Sequence, residues 1–396
     1  MNCKLKISPI LFCFFMVFAH CHNLSAQYVA KSSLYVDRII ENKMANTGIV
    51  GVGAAIIVNK KIVWQKGYGY ADRRNKVPFT PETIMNIASI SKVVTGACLM
   101  KAVELGKLNL DEDINNYLPF KIVNPYFPGE KITLKMLATH TSGLADRYPF
   151  YTDSTYFYGK DSPEQLGDFL KQYFLPGGKY YSKENFLNYK PGTYRDYSNI
   201  GAGLAGYILE LRTGEKLNKF SRKYFFNPLK MENTGWFLSE IDTNLHSKLY
   251  AKQGKSIDEI LLYGVTTYPD GGVRTSVSEL SKFFVVLLNE GKYKGTRILK
   301  KKSVDEMLRF QFTESNKPIN VNPDNLNSGI FWTTKMGGSR IGHNGSDPGV
   351  RTFMLSDLAK EMGVILFINT SLSEKEEHIY FDMYSELYKY AKTFGK

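Results

Sequence analysis

Cysteine is scarce in this sequence, and its scarcity limits how the fold can be stabilised. The 396 residues include 4 cysteines, and three of them, Cys3, Cys13 and Cys21, fall within the first 26 residues. Only Cys98 remains beyond that point, so the rest of the chain cannot form an internal disulfide. Its stability must come from a hydrophobic core, which a chain of this length can bury. We expect Cys98 to be a buried apolar residue rather than a reactive thiol.

Long apolar runs are also missing beyond the N-terminus. No later segment approaches the roughly 18 uninterrupted apolar residues that a membrane span requires. Residues 1–26 begin with a short basic segment that contains Lys4 and Lys6, continue with an apolar run over 7–19, and end on small residues at Ala26. This pattern predicts a secretory signal peptide that is cleaved after Ala26.

Two other interpretations of the N-terminus remain open. One is a transmembrane anchor, although the apolar run is short for a bilayer. The other is a lipoprotein signal with Cys21 as the lipidated residue, and we favour it less because His20 is bulky for the residue that precedes such a cysteine. The sequence therefore predicts an exported protein, periplasmic or secreted, whose mature chain has no stable membrane span.

Features of a nucleic-acid-binding or metal-binding protein are absent as well. The excess of Lys and Arg (51) over Asp and Glu (38) gives a formal charge of +13, but no basic cluster with interleaved aromatics marks a nucleic-acid surface. His140 has no second ligand at a metal-site spacing, so we expect it to be structural. We expect no nucleic-acid partner, no metal and no cofactor, and the sequence does not indicate an oligomeric state.

Strand-like segments lie at both ends of the chain, with helix-like segments between them. Residues 52–72 alternate like two strands, and four further strand-like segments follow residue 328. Apolar residues recur at helical spacing over 89–105 and 275–291, and Thr80-Pro81 predicts a further helix start. This order predicts an α/β (α+β) fold in which an antiparallel sheet, built from both termini and flanked by helices, carries an inserted mainly helical domain.

The predicted domains follow from that order. They are the signal peptide over 1–26, a sheet domain made of 27–88 and 262–396, and the mainly helical inserted domain over 89–261. The inserted domain contains an aromatic-rich segment over 145–190. This segment either roofs a substrate cleft or forms an ordinary aromatic packing layer, and the sequence favours neither.

The first candidate site residues are Ser89 and Lys92, in the sequence Ser89-Ile90-Ser91-Lys92. On a helix, residues three apart lie on one face with Cβ atoms about 5–6 Å apart, whereas Ser91 points elsewhere. A serine hydroxyl needs a base to become a nucleophile, and a lysine can serve if burial or a nearby cation lowers its pKa. Ser89 would also lie in the first helical turn, where the positive end of the helix dipole stabilises developing negative charge.

Two further segments carry candidate site residues. Tyr197-Ser198-Asn199 lies on a turn before a helix rich in small residues. A tyrosine beside a cation can act as a base, and the asparagine can hydrogen-bond a substrate amide. His343-Asn344-Gly345 lies on a strand pattern, where the glycine would let a substrate backbone approach closely.

Together these three segments resemble the SxxK, YxN and HxG motifs of the serine β-lactamase-related hydrolase family. The resemblance is to the branch that holds class C β-lactamases, D-alanyl-D-alanine carboxypeptidases, D-aminopeptidases and esterases. It covers about residues 35–370, with further matching stretches at 106–119, 137–144, 269–283 and 364–369. The resemblance implies a β-lactamase/transpeptidase-like fold and a serine hydrolase that works through an acyl-enzyme.

The resemblance also implies catalytic roles. Ser89 would be the acylated nucleophile, and Lys92 and Tyr197 would share the proton transfers, with the identity of the base left open. The backbone N–H groups of Ser89 and Ser346 would form the oxyanion hole that stabilises the tetrahedral intermediate.

Substrate binding is where the sequence departs from the family. Asn199 would orient the substrate amide, and His343 and Asn344 would line the far wall, with Gly345 beside them, and meet a substrate carboxylate or leaving group. β-Lactamases usually carry lysine at the position of His343, and a histidine is largely neutral near pH 7 unless a neighbour raises its pKa. This favours a D-amino-acid peptide or a small ester as substrate, cell-wall peptides included. The alternatives are a class C-like β-lactamase and a penicillin-binding or sensing protein without turnover.

Overall fold

The computed structural model describes residues 33–394. The predicted signal peptide and Cys21 lie outside the described residues. The strands are β1 (Gly51–Val58), β2 (Lys61–Asp72), β3 (Val77–Pro78), β4 (Met85–Asn86), β5 (Tyr156–Tyr158), β6 (Leu249–Gln253), β7 (Ser256–Ile260), β8 (Tyr263–Val265), β9 (Arg274–Thr275), β10 (Lys292–Tyr293), β11 (Thr296–Arg297), β12 (Thr333–Lys335), β13 (Arg340–Asp347), β14 (Val350–Ser356), β15 (Met362–Ile368) and β16 (Thr370–Ser371).

The helices lie mostly between β4 and β12. They are α1 (33–47), α2 (Ser91–Glu104), α3 (Leu134–Ala138), α4 (Phe150–Thr155), α5 (Leu166–Phe174), α6 (Asn199–Thr213), α7 (Leu217–Ser221), α8 (Val277–Leu288), α9 (Lys301–Leu308) and α10 (His378–Ala391). Short 3₁₀ helices at Ala88–Ile90 and Tyr268–Asp270 lead into α2 and β9.

Seven strands form one antiparallel sheet in the order β12-β13-β14-β15-β1-β2-β3. The N-terminal strand β1 pairs with the C-terminal strand β15, with Val52 opposite Ile368 and Val58 opposite Met362. Every residue of β1 is buried, because the strand is apolar throughout and lies between two neighbours with helices on both faces. The prediction of an antiparallel sheet built from both termini is confirmed.

Helices from different parts of the chain cover the two faces of this sheet. On one face, α1 and α10 pack through residues such as Ile40 and Leu387. On the other face, α8 packs through residues such as Phe284 and joins a larger core that includes α2 and α6. Cys98 is buried in that larger core, as expected. Within residues 33–394, no helix combines the length and the apolar character needed to cross a membrane.

Two local predictions can be compared with the structure directly. The helix predicted to begin at Thr80-Pro81 is wrong: the segment forms a turn in which the Thr83 hydroxyl accepts the backbone N–H of Thr80 at 2.8 Å. The chain then enters β4, where Met85 pairs with Thr275, so a long-range pairing overrides the local helix signal. The domain boundaries at 88/89 and 261/262 remain a prediction.

The aromatic-rich segment 145–190 serves both of the purposes that the sequence left open. From α5 onward its rings pack on one another in the core: Tyr173 lies 5.8 Å from Phe169 and 5.1 Å from Phe174 between ring centroids. The earlier part of the segment, around α4 and β5, instead lines a cleft with Tyr148 and Tyr156. The first part therefore shapes a cleft and the second part is a packing layer.

Candidate active site

Ser89 lies at the floor of a cleft with a volume of about 1050 Å³. It belongs to the 3₁₀ helix Ala88–Ile90, where Ala88 has a positive φ of 49°. This backbone conformation is strained for alanine, and the Asn86 side chain supports it by accepting the Ala88 N–H at 2.5 Å. The turn exposes part of Ser89 while its neighbours Ala88 and Ile90 are fully buried.

Gly345 explains how β13 can pass directly behind this turn. A Cβ atom at position 345 would lie 2.5 Å from the carbonyl oxygen of Ile87 and 2.9 Å from the Cβ of Ala88. These distances are too short for any side chain, so glycine is required. The close approach that the structure shows is to the chain's own turn, and the approach of a substrate backbone to this glycine stays a prediction.

Lys92 lies directly beneath Ser89 and is fully buried. Its Nζ donates to Ser89 Oγ at 3.1 Å, to Asn199 Oδ1 at 2.6 Å and to the Asp270 carbonyl oxygen at 2.9 Å. An ammonium group has three N–H donors, and all three are satisfied. Burial opposes the charged form, but Tyr197 and Asp270 outweigh it and raise the pKa of Lys92 above its ordinary value. Lys92 is therefore a cation in the resting site.

Tyr197 lies beside this cation, with Lys92 Nζ 5.0 Å from the centroid of its ring. Its hydroxyl oxygen is buried and has no hydrogen-bond partner within the part of the chain that the structure describes. Buried hydroxyl groups are nearly always hydrogen-bonded, so an unpartnered one in the cleft that contains Ser89 fits a group that meets a ligand.

His140 holds Tyr197 from behind, in agreement with the structural role expected for it. The two rings lie 4.4 Å apart between centroids, and His140 Nδ1 accepts the backbone N–H of Ser198 at 3.2 Å. Burial, with the charges of Arg195 and Lys92, holds the pKa of His140 well below its usual range. The imidazole is therefore neutral, as its acceptor nitrogen requires.

Asn199 is fixed at the first turn of α6 by Asp146, a residue that the sequence did not indicate. The Asp146 carboxylate accepts the backbone N–H groups of Asn199 at 2.7 Å and Ile200 at 2.9 Å, and the Ser198 hydroxyl at 3.2 Å. A carboxylate at a helix N-terminus satisfies otherwise unpaired N–H groups and interacts favourably with the helix dipole. The Asn199 side chain is thereby held between Lys92 and the Tyr148 hydroxyl, to which Nδ2 donates at 2.9 Å.

Asp270 also lines the cleft. Its carboxylate accepts from the Tyr151 hydroxyl at 2.5 Å and lies 4.0 Å from Lys92 Nζ. Burial raises the pKa of Asp270 to about 6, although Lys92 opposes the shift.

The opposite wall of the cleft is β13, which carries His343, Asn344 and Ser346. His343 Nδ1 lies 2.7 Å from the carbonyl oxygen of Asn344, so this nitrogen donates, and Nε2 is buried without a partner among residues 33–394. Burial, together with Lys335 and Lys92, holds the pKa of His343 well below its usual range. The histidine is therefore a neutral acceptor on this wall.

Lys335 supplies a cation on the same wall, and none of the three motifs points to it. It is the last residue of β12 and lines the cleft. No ion pair or hydrogen bond of its ammonium group is found over the described range 33–394. Burial and the neighbouring charges of Arg195 and Lys92 lower the pKa of Lys335 to about 8.

The structure thus brings every residue predicted from the three motifs to one place. Those that line the cleft are Ser89, Tyr197, Asn199, His343, Asn344 and Ser346. Lys92 and Gly345 support it from below and behind. In the portion of the chain that the structure describes, no group of three or more His, Cys, Asp or Glu residues is arranged to hold a metal ion.

Comparison with known proteins extends over most of the chain. A family model described as "Beta-lactamase" matches residues 36–382. Protein flp of Staphylococcus aureus strain N315 is 26% identical over 342 residues, which is 85% of this chain and 63% of that relative. Beta-lactamase-like protein 4 of Dictyostelium discoideum is 31% identical over 270 residues, which is 64% of this chain and 44% of that relative. The chain spans less than two thirds of the length of these curated relatives.

Solved structures with the same arrangement of elements cover nearly the whole chain. D-amino acid amidase from Ochrobactrum anthropi SV3, in complex with D-phenylalanine, superposes with a TM-score of 0.71 at 22% identity, over 92% of this chain and 99% of that chain. The octameric penicillin-binding protein homologue from Pyrococcus abyssi gives 0.68 at 25% identity, over 89% of this chain and 76% of that chain.

Proposed function

Because this chain belongs to the β-lactamase family and has its β-lactamase/transpeptidase-like fold, we propose that it is an exported serine hydrolase. Ser89 is the proposed nucleophile, and an amide or ester carbonyl is the proposed electrophile. A single observation carries the proposal: Lys92 Nζ donates to Ser89 Oγ at 3.1 Å in a cleft where the Tyr197 hydroxyl has no other partner among the described residues.

The protonation of Lys92 bears on which residue acts as the base. A fully buried ammonium group that donates three hydrogen bonds has no lone pair to offer Ser89. We therefore assign the proton acceptor to the side-chain oxygen of Tyr197 and an electrostatic role to Lys92. A positioned acid or base of this kind contributes about 10²–10⁴-fold in rate.

The proposed reaction has two halves. In the first, Ser89 Oγ bonds to the carbonyl carbon as its proton passes to Tyr197, and the oxyanion is stabilised by the backbone N–H groups of Ser89 and Ser346. The bond to the leaving group then breaks, and the leaving group takes the proton from Tyr197. In the second half, Tyr197 takes a proton from water while the water oxygen bonds to the acyl carbon. Ser89 leaves and recovers its proton.

The proposed substrate is a D-amino-acid peptide or a small ester, cell-wall peptides included. The neutral His343, in place of a permanent cation, supports this choice over a β-lactam. The likeness in fold to a protein described as a D-amino acid amidase agrees with it. Fold alone does not assign a substrate, because one fold hosts many functions.

A class C-like β-lactamase is the second candidate, and Lys335 is the observation that favours it. Its ammonium group stands in the cleft without an ion-pair partner along the described chain, and the carboxylate of a β-lactam would complement it. A penicillin-binding or sensing protein that is acylated without turnover is the third candidate, since deacylation depends on how a water molecule is positioned.

The test is to incubate the protein with a penicillin and to record intact masses of protein and drug. Ser89→Ala is the test variant, and Ser91→Ala is its matched control, because the buried Ser91 hydroxyl instead accepts the Val273 backbone N–H at 3.0 Å. A lasting adduct on wild type and Ser91→Ala supports a peptidase-like enzyme, and hydrolysed drug without an adduct supports a β-lactamase. An unmodified protein with intact drug leaves esters and D-amino-acid amides as substrates to test. Adduct or hydrolysis that persists in Ser89→Ala contradicts the proposal.

A further inference from the structure

We propose that Asp347 binds the ammonium group of the substrate, so that this cleft selects amides or esters of amino acids whose amino group is free. The inference rests on the proposed serine hydrolase function and narrows its substrate class.

Asp347 is the last residue of β13 and lines the cleft with Ser89 and Ser346. Its two carboxylate oxygens differ. Oδ1 accepts from the Tyr156 hydroxyl at 2.7 Å, whereas Oδ2 is buried and has no hydrogen-bond partner in the described structure. A buried carboxylate oxygen without a donor is costly, so it points to a donor that is absent from the protein itself.

The nearby cations do not supply that donor. Arg351 is bound to the Glu377 carboxylate and to the Val350 carbonyl oxygen. Lys92 is engaged by its three acceptors beneath Ser89. Burial raises the pKa of Asp347 to about 7 despite the hydrogen bond from Tyr156, and Asp270 adds to the rise. A cation at Oδ2 would offset both the cost of burying the carboxylate and its repulsion by the Asp270 carboxylate.

The surroundings of Oδ2 have the chemistry of an ammonium site. A Cβ atom at Gly271 would lie 3.6 Å from Oδ2, so the glycine places no side chain against this oxygen. The rings of Tyr148, Tyr156 and Tyr158 line the same part of the cleft, and aromatic faces attract cations. An ammonium group, with three N–H donors, satisfies a carboxylate oxygen by a charge-assisted hydrogen bond.

The position of Asp347 along β13 fits the reacting end of an amino-acid derivative. Asp347 directly follows Ser346, whose backbone N–H is the proposed oxyanion donor. A carbonyl held there would lie next to the residue that precedes Asp347, and the backbones of Ser346 and Asp347 are separated by one strand residue, roughly 3.3 Å of rise. The backbone of Lys335 pairs with Arg340 at the other end of β13, about 23 Å of strand rise from Asp347. Asp347 therefore lies at the end of β13 that carries the proposed oxyanion donor, and the backbone of Lys335 lies at the opposite end.

The experiment compares D-alanine p-nitroanilide with N-acetyl-D-alanine p-nitroanilide. Acetylation removes the positive charge and leaves the scissile amide unchanged. We expect wild type to prefer the free amine by about 10–100-fold in kcat/KM, the range for a hydrogen bond to a charged partner. Asp347→Asn should remove that preference.

Asp153→Asn is the matched control, because Asp153 is an exposed carboxylate that lines the same cleft. Asp153→Asn should keep the preference for the free amine. This result distinguishes a specific ammonium site at Asp347 from an effect of the overall negative charge in the cleft. Equal hydrolysis of both anilides by wild type, a preference for the acetylated one, or a preference that survives Asp347→Asn would each overturn the proposal. The wild-type comparison needs no variant, so the test stands even if Asp347→Asn fails to fold.

A binding measurement separates this proposal from the proposed function. Ser89→Ala should bind D-alaninamide in calorimetry. The double variant Ser89→Ala, Asp347→Asn should bind D-alaninamide at least about 10-fold more weakly. Ser89→Ala should bind N-acetyl-D-alaninamide no better than the double variant binds D-alaninamide. Equal binding of the two amides overturns the ammonium site even if a penicillin acylates Ser89. Absence of any acylation at Ser89 would instead contradict the serine hydrolase, while this binding result would still report on Asp347.

Discussion

The two walls of the cleft differ in how completely their polar groups are satisfied. On the helical wall, formed by Lys92, Asp146 and Asn199, the side chains hold one another through short hydrogen bonds within the protein. On the strand wall, formed by Lys335, His343 and Asp347, the Lys335 ammonium lacks an ion pair, and His343 Nε2 and Asp347 Oδ2 lack partners among residues 33–394. Apart from the unpartnered Tyr197 hydroxyl, the helical wall is organised before the substrate arrives, and the strand wall is completed by it.

This difference has a physical consequence for the effects of substitution. A group in a satisfied network supports its neighbours, so its loss should affect stability and every substrate alike. A buried polar group whose partner is supplied only by the ligand destabilises the free protein. Its removal should therefore affect only the substrates that supply the partner, and it can stabilise the fold.

The largest expected effect is on the helical wall, at Lys92. Lys92→Met should lower kcat/KM for every substrate by about 10³-fold or more, because it removes the cation beside Ser89 and Tyr197. It also leaves the Asn199 side chain and the Asp270 carbonyl without their donor. Steady-state hydrolysis of an ester and of an amide measures the change, with Lys101→Met on the same helix as control. A loss of kcat/KM confined to the ester or to the amide would mean that Lys92 selects substrates, as we expect of the strand wall, and does not activate Ser89.

The next effect concerns the support of Asn199. Asp146→Ala should lower the free energy of unfolding by about 1–2 kcal/mol through loss of the helix cap. It should lower kcat by at least about 10-fold, because the Asn199 side chain loses its fixed position. Denaturant unfolding and hydrolysis are measured on the same sample. Asp113→Ala removes a cap elsewhere in the fold and should reduce stability while leaving kcat unchanged; an equal loss of kcat in both variants would contradict the role given to Asp146.

A smaller and selective effect is expected at Lys335. Lys335→Gln should raise KM about 10-fold for peptides with a free C-terminal carboxylate and leave KM for their C-terminal amides unchanged. The exposed Lys61, far from the cleft on β2, provides the control variant Lys61→Gln. Equal changes for the acid and the amide would mean that Lys335 acts on the fold or the overall potential rather than on a carboxylate.

The smallest effect is on stability, and it depends on pH. The pKa of Asp347 is about 7 in the folded protein and near its ordinary value, about 3.8, when unfolded. The folded protein therefore binds the proton more tightly, and stability from this group is lost as the pH rises from about 4 to about 7. Asp347→Asn has no carboxyl group to titrate at this position, so its stability does not fall in this pH range. Its Tm should match that of wild type at pH 4 and exceed it by about 1–3 °C at pH 8. The groups left in place around Asp347 are Lys92, Tyr156, Tyr158, Tyr263, Asp270, Arg274 and Arg351. A lower Tm for Asp347→Asn at pH 8 would mean that the carboxylate is satisfied in the free protein.

The sequence predicted the parts of the site that depend on local spacing. Ser89 and Lys92 are three residues apart, and the structure joins them by a hydrogen bond. The strand patterns at both termini likewise predicted the antiparallel sheet, because alternation and apolar runs are local signals. Such features are set by one segment of chain and need no knowledge of its neighbours.

The remaining parts depend on contacts between distant segments. Asp146 reaches α6 from more than fifty residues earlier in the chain, and Lys335 comes to the cleft only because β12 pairs with β13. The role of Gly345 could not be predicted because the atoms that exclude a side chain there belong to the turn before α2. Asp347 gave no signal because its distinctive property is a missing partner.

The central claim is that the helical wall activates Ser89 for acyl transfer. The most direct measurement is rapid mixing with p-nitrophenyl acetate, followed by mass spectrometry of the quenched protein to locate the acetyl group. We expect a burst of p-nitrophenol equal to the amount of protein, with the acetyl group on Ser89 and not on Ser91, and neither burst nor acetylation in Ser89→Ala. An acetyl group on another residue, or a burst that survives in Ser89→Ala, would contradict it.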